Sequence, residues 1–164
     1  MNPPRRGSGP RAAPSSSSAA VLLASPGRPF SHEAVDAAIT MAGGEAIRVL
    51  SIAKIYGTAL GLQHPGLLPS KREMQAQRDI VADAVKRIER AGGRARGEVV
   101  ATRNNAKTFL RAAVRYSVRH VVLEPAAGGR LRRLVEGDPG ATLRRRLGPD
   151  VEIHVIDRPT VAAP

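Results

Sequence analysis

The run Ala20-Val21-Leu22-Leu23-Ala24 has no polar position, which suits a strand covered on both faces and not one with a wet side. Such a strand needs helices above and below it, and the chain supplies them by alternation. After a loop at 25–29, Ser31 reads as an N-cap, and Phe30 before it can pack on Val35 as a hydrophobic staple. Ala34, Val35, Ala38, Ile39 and Ala42 then recur at helical spacing until Gly43-Gly44 stop the helix. A second strand, rich in β-branched residues, is expected over 46–55.

The loop at 56–69 carries Leu60, Leu62, Leu67 and Leu68 among its glycines and is expected to pack on the body. Ser70 caps a long helix to about Ala91, with a stripe of Met74, Val81, Ala84, Val85 and Ile88. A third strand follows at 96–102, and a helix at 106–119 is expected to turn Phe109, Leu110, Ala113 and Val114 inward. The strand 120–123, a helix at 139–147 and a strand at 151–156 complete the order β-α-β-α-β-α-β-α-β. That order implies an α/β fold: a parallel open sheet, helices on both faces and right-handed crossovers. Ligands of such sheets lie beyond the carboxyl ends of the strands where strand order reverses, here between the first and fourth strands. With 164 residues the chain reads as one domain over 19–158, between a Pro/Ser/Arg-rich disordered tail at 1–18 and a short C-terminal tail at 159–164.

Composition removes several chemistries. Without cysteine there is no disulfide, no thiolate nucleophile and no Cys-based zinc site, in keeping with a cytoplasmic protein. The apolar run at 19–24 is too short for a membrane span or for the core of an export signal behind Arg5-Arg6. Of the formal net charge of +12, three units belong to Arg5, Arg6 and Arg11 in the tail, and the remaining +9 lies on the body. Such a field attracts anions without naming one, and aromatics at only 2% argue against a base-stacking nucleic-acid platform. Arg144-Arg145-Arg146 reads first as a solvated last helical turn, and second as a basic face for a partner. His32, His64, His120 and His154 show no ligand spacing, so no metal site is expected, and no pair of residues proposes a reaction, so no catalytic residue is assigned.

The stretch after the fourth strand is the informative one. His120-Val121-Val122-Leu123 runs into Glu124-Pro125-Ala126-Ala127-Gly128-Gly129-Arg130, and Gly137-Asp138-Pro139 opens the last helix. Together with the second strand Arg48-Val49-Leu50-Ser51-Ile52 and the order of elements, it resembles the universal stress protein family over about 20–157. The resemblance implies a five-stranded sheet ordered 3-2-1-4-5 and a homodimer paired through the last strand. ATP-binding members carry Gly-x2-Gly-x9-Gly-Ser/Thr after the fourth strand and an Asp at the end of the first. Laid on this chain, the motif falls on Glu124, Ala127, Gly137 and Asp138, and Ala24 and Ser25 stand where the Asp would be.

One motif glycine of three is therefore kept, and the changes have a direction. Asp138 as N-cap offers its own anion to the helix N-terminus that would hold a phosphate. Glu124 adds a second negative charge, and each repels a polyphosphate by about a kcal/mol or more at an effective dielectric of about 20. Against this stand Arg130, Arg132 and Arg133, which can hold phosphate by charge-assisted contacts or pair with Glu124, Glu136 and Asp138. The candidate cleft is thus Ala24, Ser25, Gly128, Gly129, Arg130, Arg133, Gly137 and Asp138. Two readings stay open: a non-enzymatic, homodimeric regulatory or ligand-sensing module with weak or lost ATP binding and an unidentified protein partner, or an adenine-nucleotide-binding stress protein that uses the arginines in place of the glycines.

Overall fold

The computed structural model describes residues 18–55, 68–125 and 138–156. The described strands are β1 (Val21–Ser25), β2 (Ala46–Lys54), β3 (Arg94–Thr102), β4 (His120–Leu123) and β5 (Glu152–Val155). They form one parallel sheet in the order β3-β2-β1-β4-β5. The helices are α1 (His32–Ala42), α2 (Lys71–Arg90), α3 (Asn105–Arg115) and α4 (Pro139–Arg146). Strand order reverses between β1 and β4, where the sequence places the crevice.

Central β1 is buried at every residue, which its apolar run from Val21 to Ala24 requires. Alternate positions then divide between two cores. Leu22, Ala24, Leu50, Ile52, Val121 and Leu123 meet Phe109, Ala112 and Ala113 of α3 and Leu143 of α4 on one face. On the other, Val21, Leu23, Ile47, Val49 and Val122 meet Val35 and Ala38 of α1 and Val81, Ala84 and Ile88 of α2. Because the side-chain period along a strand is two, this division follows from the register.

Helix ends are set locally. The Ser31 hydroxyl accepts from the Ala34 amide, and Phe30 is buried in the same cluster as Val35. Ser70 forms a capping box with Glu73, each side chain accepting from the other's backbone amide. Two expectations for α3 are corrected. Its helix ends at Arg115 rather than 119, since Ser117 turns to φ 50° and the Val118 amide returns to the Ala113 carbonyl, while the Arg119 amide bonds Ala20 to begin β4. Within it Ala112 faces the core and Val114 is 63% exposed, because Phe109, Ala112, Ala113 and Tyr116 define the buried stripe. The expected tails, apart from Ser18, and the loop at 56–67 lie outside the described residues.

Two contacts fix how tightly the outer elements sit. At Gly97 of β3, a Cβ would run into the Val81 methyl of α2, so glycine there permits the close approach of helix to sheet. On the opposite face Tyr116, 4% exposed, donates to Glu98 at 2.8 Å, and the Arg48 guanidinium lies 4.4 Å from its ring centroid. Burial, and then the hydrogen bond to Glu98, raise the Tyr116 phenol above its ordinary value of 10.0.

Two outcomes follow from this packing. Gly97→Ala is expected to cost about 1–3 kcal/mol in urea denaturation, and less in a Val81→Ala background, where the methyl it strikes is gone. Since the folded phenol keeps its proton to higher pH than the unfolded one, Tyr116 contributes stability that is complete below about pH 10 and is lost as pH rises through the folded value. Urea midpoints between about pH 9 and 11 should therefore fall less steeply for Tyr116→Phe than for the parent.

Candidate functional site

Three polar side chains lie on the α1/α2 face toward the carboxyl edge of neighbouring strands: Ser25 at the end of β1, Ser51 within β2 and Glu124 just after β4. Ser25 and Ser51 are register partners, and the Glu124 amide continues the ladder to the Ala24 carbonyl at 2.9 Å. All three are buried, Glu124 to 3% exposure.

Each is committed to the protein itself. The Ser25 hydroxyl donates to the Arg28 carbonyl at 2.6 Å and accepts from the Arg28 amide at 2.8 Å, which closes the β1–α1 turn. Gly27 completes that turn at φ 97°, where a Cβ would also meet the Ile52 carbonyl oxygen at 2.8 Å. Ser51 bonds Gln77 of α2 at 2.6 Å, and the Gln77 amide donates to the Gly27 carbonyl at 3.1 Å. Turn, strand and helix are thus tied by one short chain of hydrogen bonds.

Glu124 does the equivalent at the reversal point. Its Oε2 accepts from the Ser31 amide at 3.1 Å and from the Ser31 hydroxyl at 2.9 Å. The carboxylate therefore lies at the N-terminus of α1, where the amide donors and the positive end of the helix dipole converge. Arg87 of α2 braces the same turn, donating to the carbonyls of Phe30 at 2.9 Å and Ser31 at 3.1 Å. A second carboxylate holds the second helix end: Asp138 accepts from the Gly140 amide at 2.9 Å, and Pro139 has no amide to offer.

Of the residues expected in the cleft, Ala24 is wholly buried in the α3/α4 core, Ser25 forms the turn just described, and Asp138 caps α4 as its sequence position implied. Gly128, Gly129, Arg130, Arg133 and Gly137 lie outside the described residues. Ser31 and Arg87 were not expected at the crevice. Ser31 was legible only as a helix cap, and nothing local marks Arg87 as reaching 56 residues back along the chain. The sheet also brings together His120, Glu152 and His154, because β4 and β5 pair His120 with Glu152 and Val122 with His154.

This arrangement bears on the nucleotide expectation. Among the described residues, the helix N-termini of α1 and α4 at this edge hold carboxylates of the chain, Glu124 and Asp138. Arg144, Arg145 and Arg146 are exposed in the last turn of α4, the place where a helix dipole favours cations.

The architecture is that of the universal stress proteins. A protein of that family from Burkholderia pseudomallei shares it with a TM-score of 0.57 and 20% identity, covering 87% of this chain and 98% of that one. A universal stress protein crystallised in complex with cAMP matches at 0.56 and 16% identity, over 83% of this chain and 94% of the other. The universal stress protein UspA from Lactobacillus plantarum matches at 0.50 and 14% identity, over 84% and 96%. No family profile matches the sequence, and no curated protein matches it. The expected strand order 3-2-1-4-5 is the observed one.

The Ser31–Glu124 pair should be measurable. Ser31→Ala is expected to destabilise the fold by about 1–2 kcal/mol in urea denaturation, and by less in a Glu124→Gln background, where the hydroxyl's charged acceptor is gone.

Proposed function

We propose that this protein is a non-enzymatic module on the universal stress protein scaffold, acting in the cytoplasm through protein contacts or a small ligand, with weak or absent ATP binding. The observation that carries the reading is the pair of carboxylates, Glu124 and Asp138, at the N-termini of α1 and α4. A polyphosphate placed there would meet two like charges and no uncommitted cap. The Ser31 hydroxyl that bonds the Glu124 carboxylate is committed as the cap of α1, and no reaction is assigned. Homodimer formation through β5 is part of the same proposal: β5 is an edge strand, four residues long, and an open edge is a template for pairing with a second copy. Among the described residues no helix is long and apolar enough to cross a membrane.

The rival reading has a specific support of its own, since a neighbour of the same fold is a complex with cAMP. On that reading Arg130 and Arg133 supply the phosphate contacts that the glycine motif has lost.

Calorimetric titration with ATP, AMP and cyclic AMP at physiological salt separates the two. The expected result is no saturable heat up to about 1 mM nucleotide, a bound weaker than about −4 kcal/mol. Low-micromolar binding to any of them would reject the proposal. In that event Arg130→Ala with Arg133→Ala should abolish the affinity, and an unchanged value would dismiss the arginine reading as well.

A further inference from the structure

The α1 side of the β4/β5 edge carries a cluster that the crevice does not use. Register places His120 opposite Glu152 and Val122 opposite His154. Since Glu152 and His154 are two residues apart on one strand, all three side chains leave the sheet on the same face. That face is the α1 face, because Val122 packs in the cluster with Val35 and Ala38.

The three ligand-type atoms, Nδ1 of His120, Nε2 of His154 and Oε2 of Glu152, lie within 4.8 Å of one another. His120 Nδ1 is 3.4 Å from Glu152 Oε2, and His154 Nε2 is 3.3 Å from the same oxygen. Neither nitrogen makes a hydrogen bond although both are buried as atoms. Two imidazole nitrogens are therefore withdrawn from water, aimed at one carboxylate oxygen, and left without the linear N–H···O geometry that would satisfy them.

Those distances suit a shared cation better than a hydrogen bond. Ligands about 2.0–2.1 Å from a tetrahedral metal stand about 3.3–3.4 Å apart, the spacing of both His–Glu pairs. The two rings stand side by side, their centroids 5.9 Å apart at an interplanar angle of 39°. Two neutral imidazoles and one carboxylate leave a zinc centre one unit of positive charge and a fourth position for water. Glu152, with a side chain 65% exposed, leaves the site a path from solvent.

We propose that His120, His154 and Glu152 form a zinc-binding site on the edge of the sheet. It rests on none of the arguments about nucleotide. All three ligands come from one chain, so the stoichiometry is one zinc per chain whether or not copies pair through β5.

The test uses the full chain, without a polyhistidine tag, stripped with chelator and titrated with zinc against a chromophoric competitor. One equivalent is expected to bind at about 1 μM or tighter. Imidazole 15N resonances of the unsubstituted protein should report coordination at Nδ1 of one histidine and Nε2 of another, with the remaining two of the four histidines unmoved. His120→Gln and His154→Gln should each weaken zinc by about 100-fold or more, and Glu152→Gln by about tenfold or more. His32→Gln with His64→Gln should leave it unchanged, and circular dichroism in EDTA checks that each variant is folded. No saturable zinc binding up to about 100 μM, coordination shifts at His32 or His64, or unaltered affinity in the His120 and His154 variants would each overturn the site.

Discussion

The structure depends on how the chain satisfies a carboxylate that it has taken out of water. Glu124 ends β4 at the reversal point of the sheet, 3% exposed, where an uncompensated charge would cost several kcal/mol. The compensation comes from Ser31, by amide and hydroxyl, 93 residues away in sequence. One contact therefore fixes the N-terminus of α1 against the end of β4. Arg87, gripping the Phe30 and Ser31 carbonyls, extends the tie to α2. The carboxyl edge of the sheet is held together by polar groups bonded to one another within the chain.

That solution explains why the scaffold persists while its motif does not. The two cores are built from alternate residues of β1, β2 and β4 and from the inner stripes of the helices, and of the altered motif positions Ala24 is one that joins them, as a small apolar residue of the α3/α4 core. A glycine motif shapes only the loop and the helix end beyond the strands, so its loss leaves the register untouched. Identities of 14–20% to structures covering most of both chains show the same thing: hydrophobic pattern and element order carry the fold, and few residue identities are needed.

What the sequence made legible is what is local. Ser31 and Ser70 announce their helices within three or four residues, and β1 declares both its faces buried by its unbroken apolar run from Val21 to Ala24. Asp138 was readable as a cap for the same reason. Val114 was not, since an apolar residue at helical spacing fits more than one stripe, and only packing against the sheet selects Ala112 over it. Glu124 was readable as a charge but not as one half of a pair, and His120 and His154 were readable only as isolated histidines. Their grouping is created by strand register, which no spacing along the chain encodes.

The two carboxylates can also be weighed against a ligand. Each holds a helix N-terminus through hydrogen bonds of the kind worth about 1 kcal/mol or more to a fold. A phosphate entering the crevice must displace both before it gains anything, a loss of about 2 kcal/mol or about 30-fold in affinity. Repulsion from carboxylates that are displaced but still close adds about a kcal/mol for each. On the proposed reading, these together would turn a micromolar site into one approaching millimolar without moving a strand. On that reading, the same carboxylates that disfavour nucleotide in the crevice also stabilise the helix ends they cap.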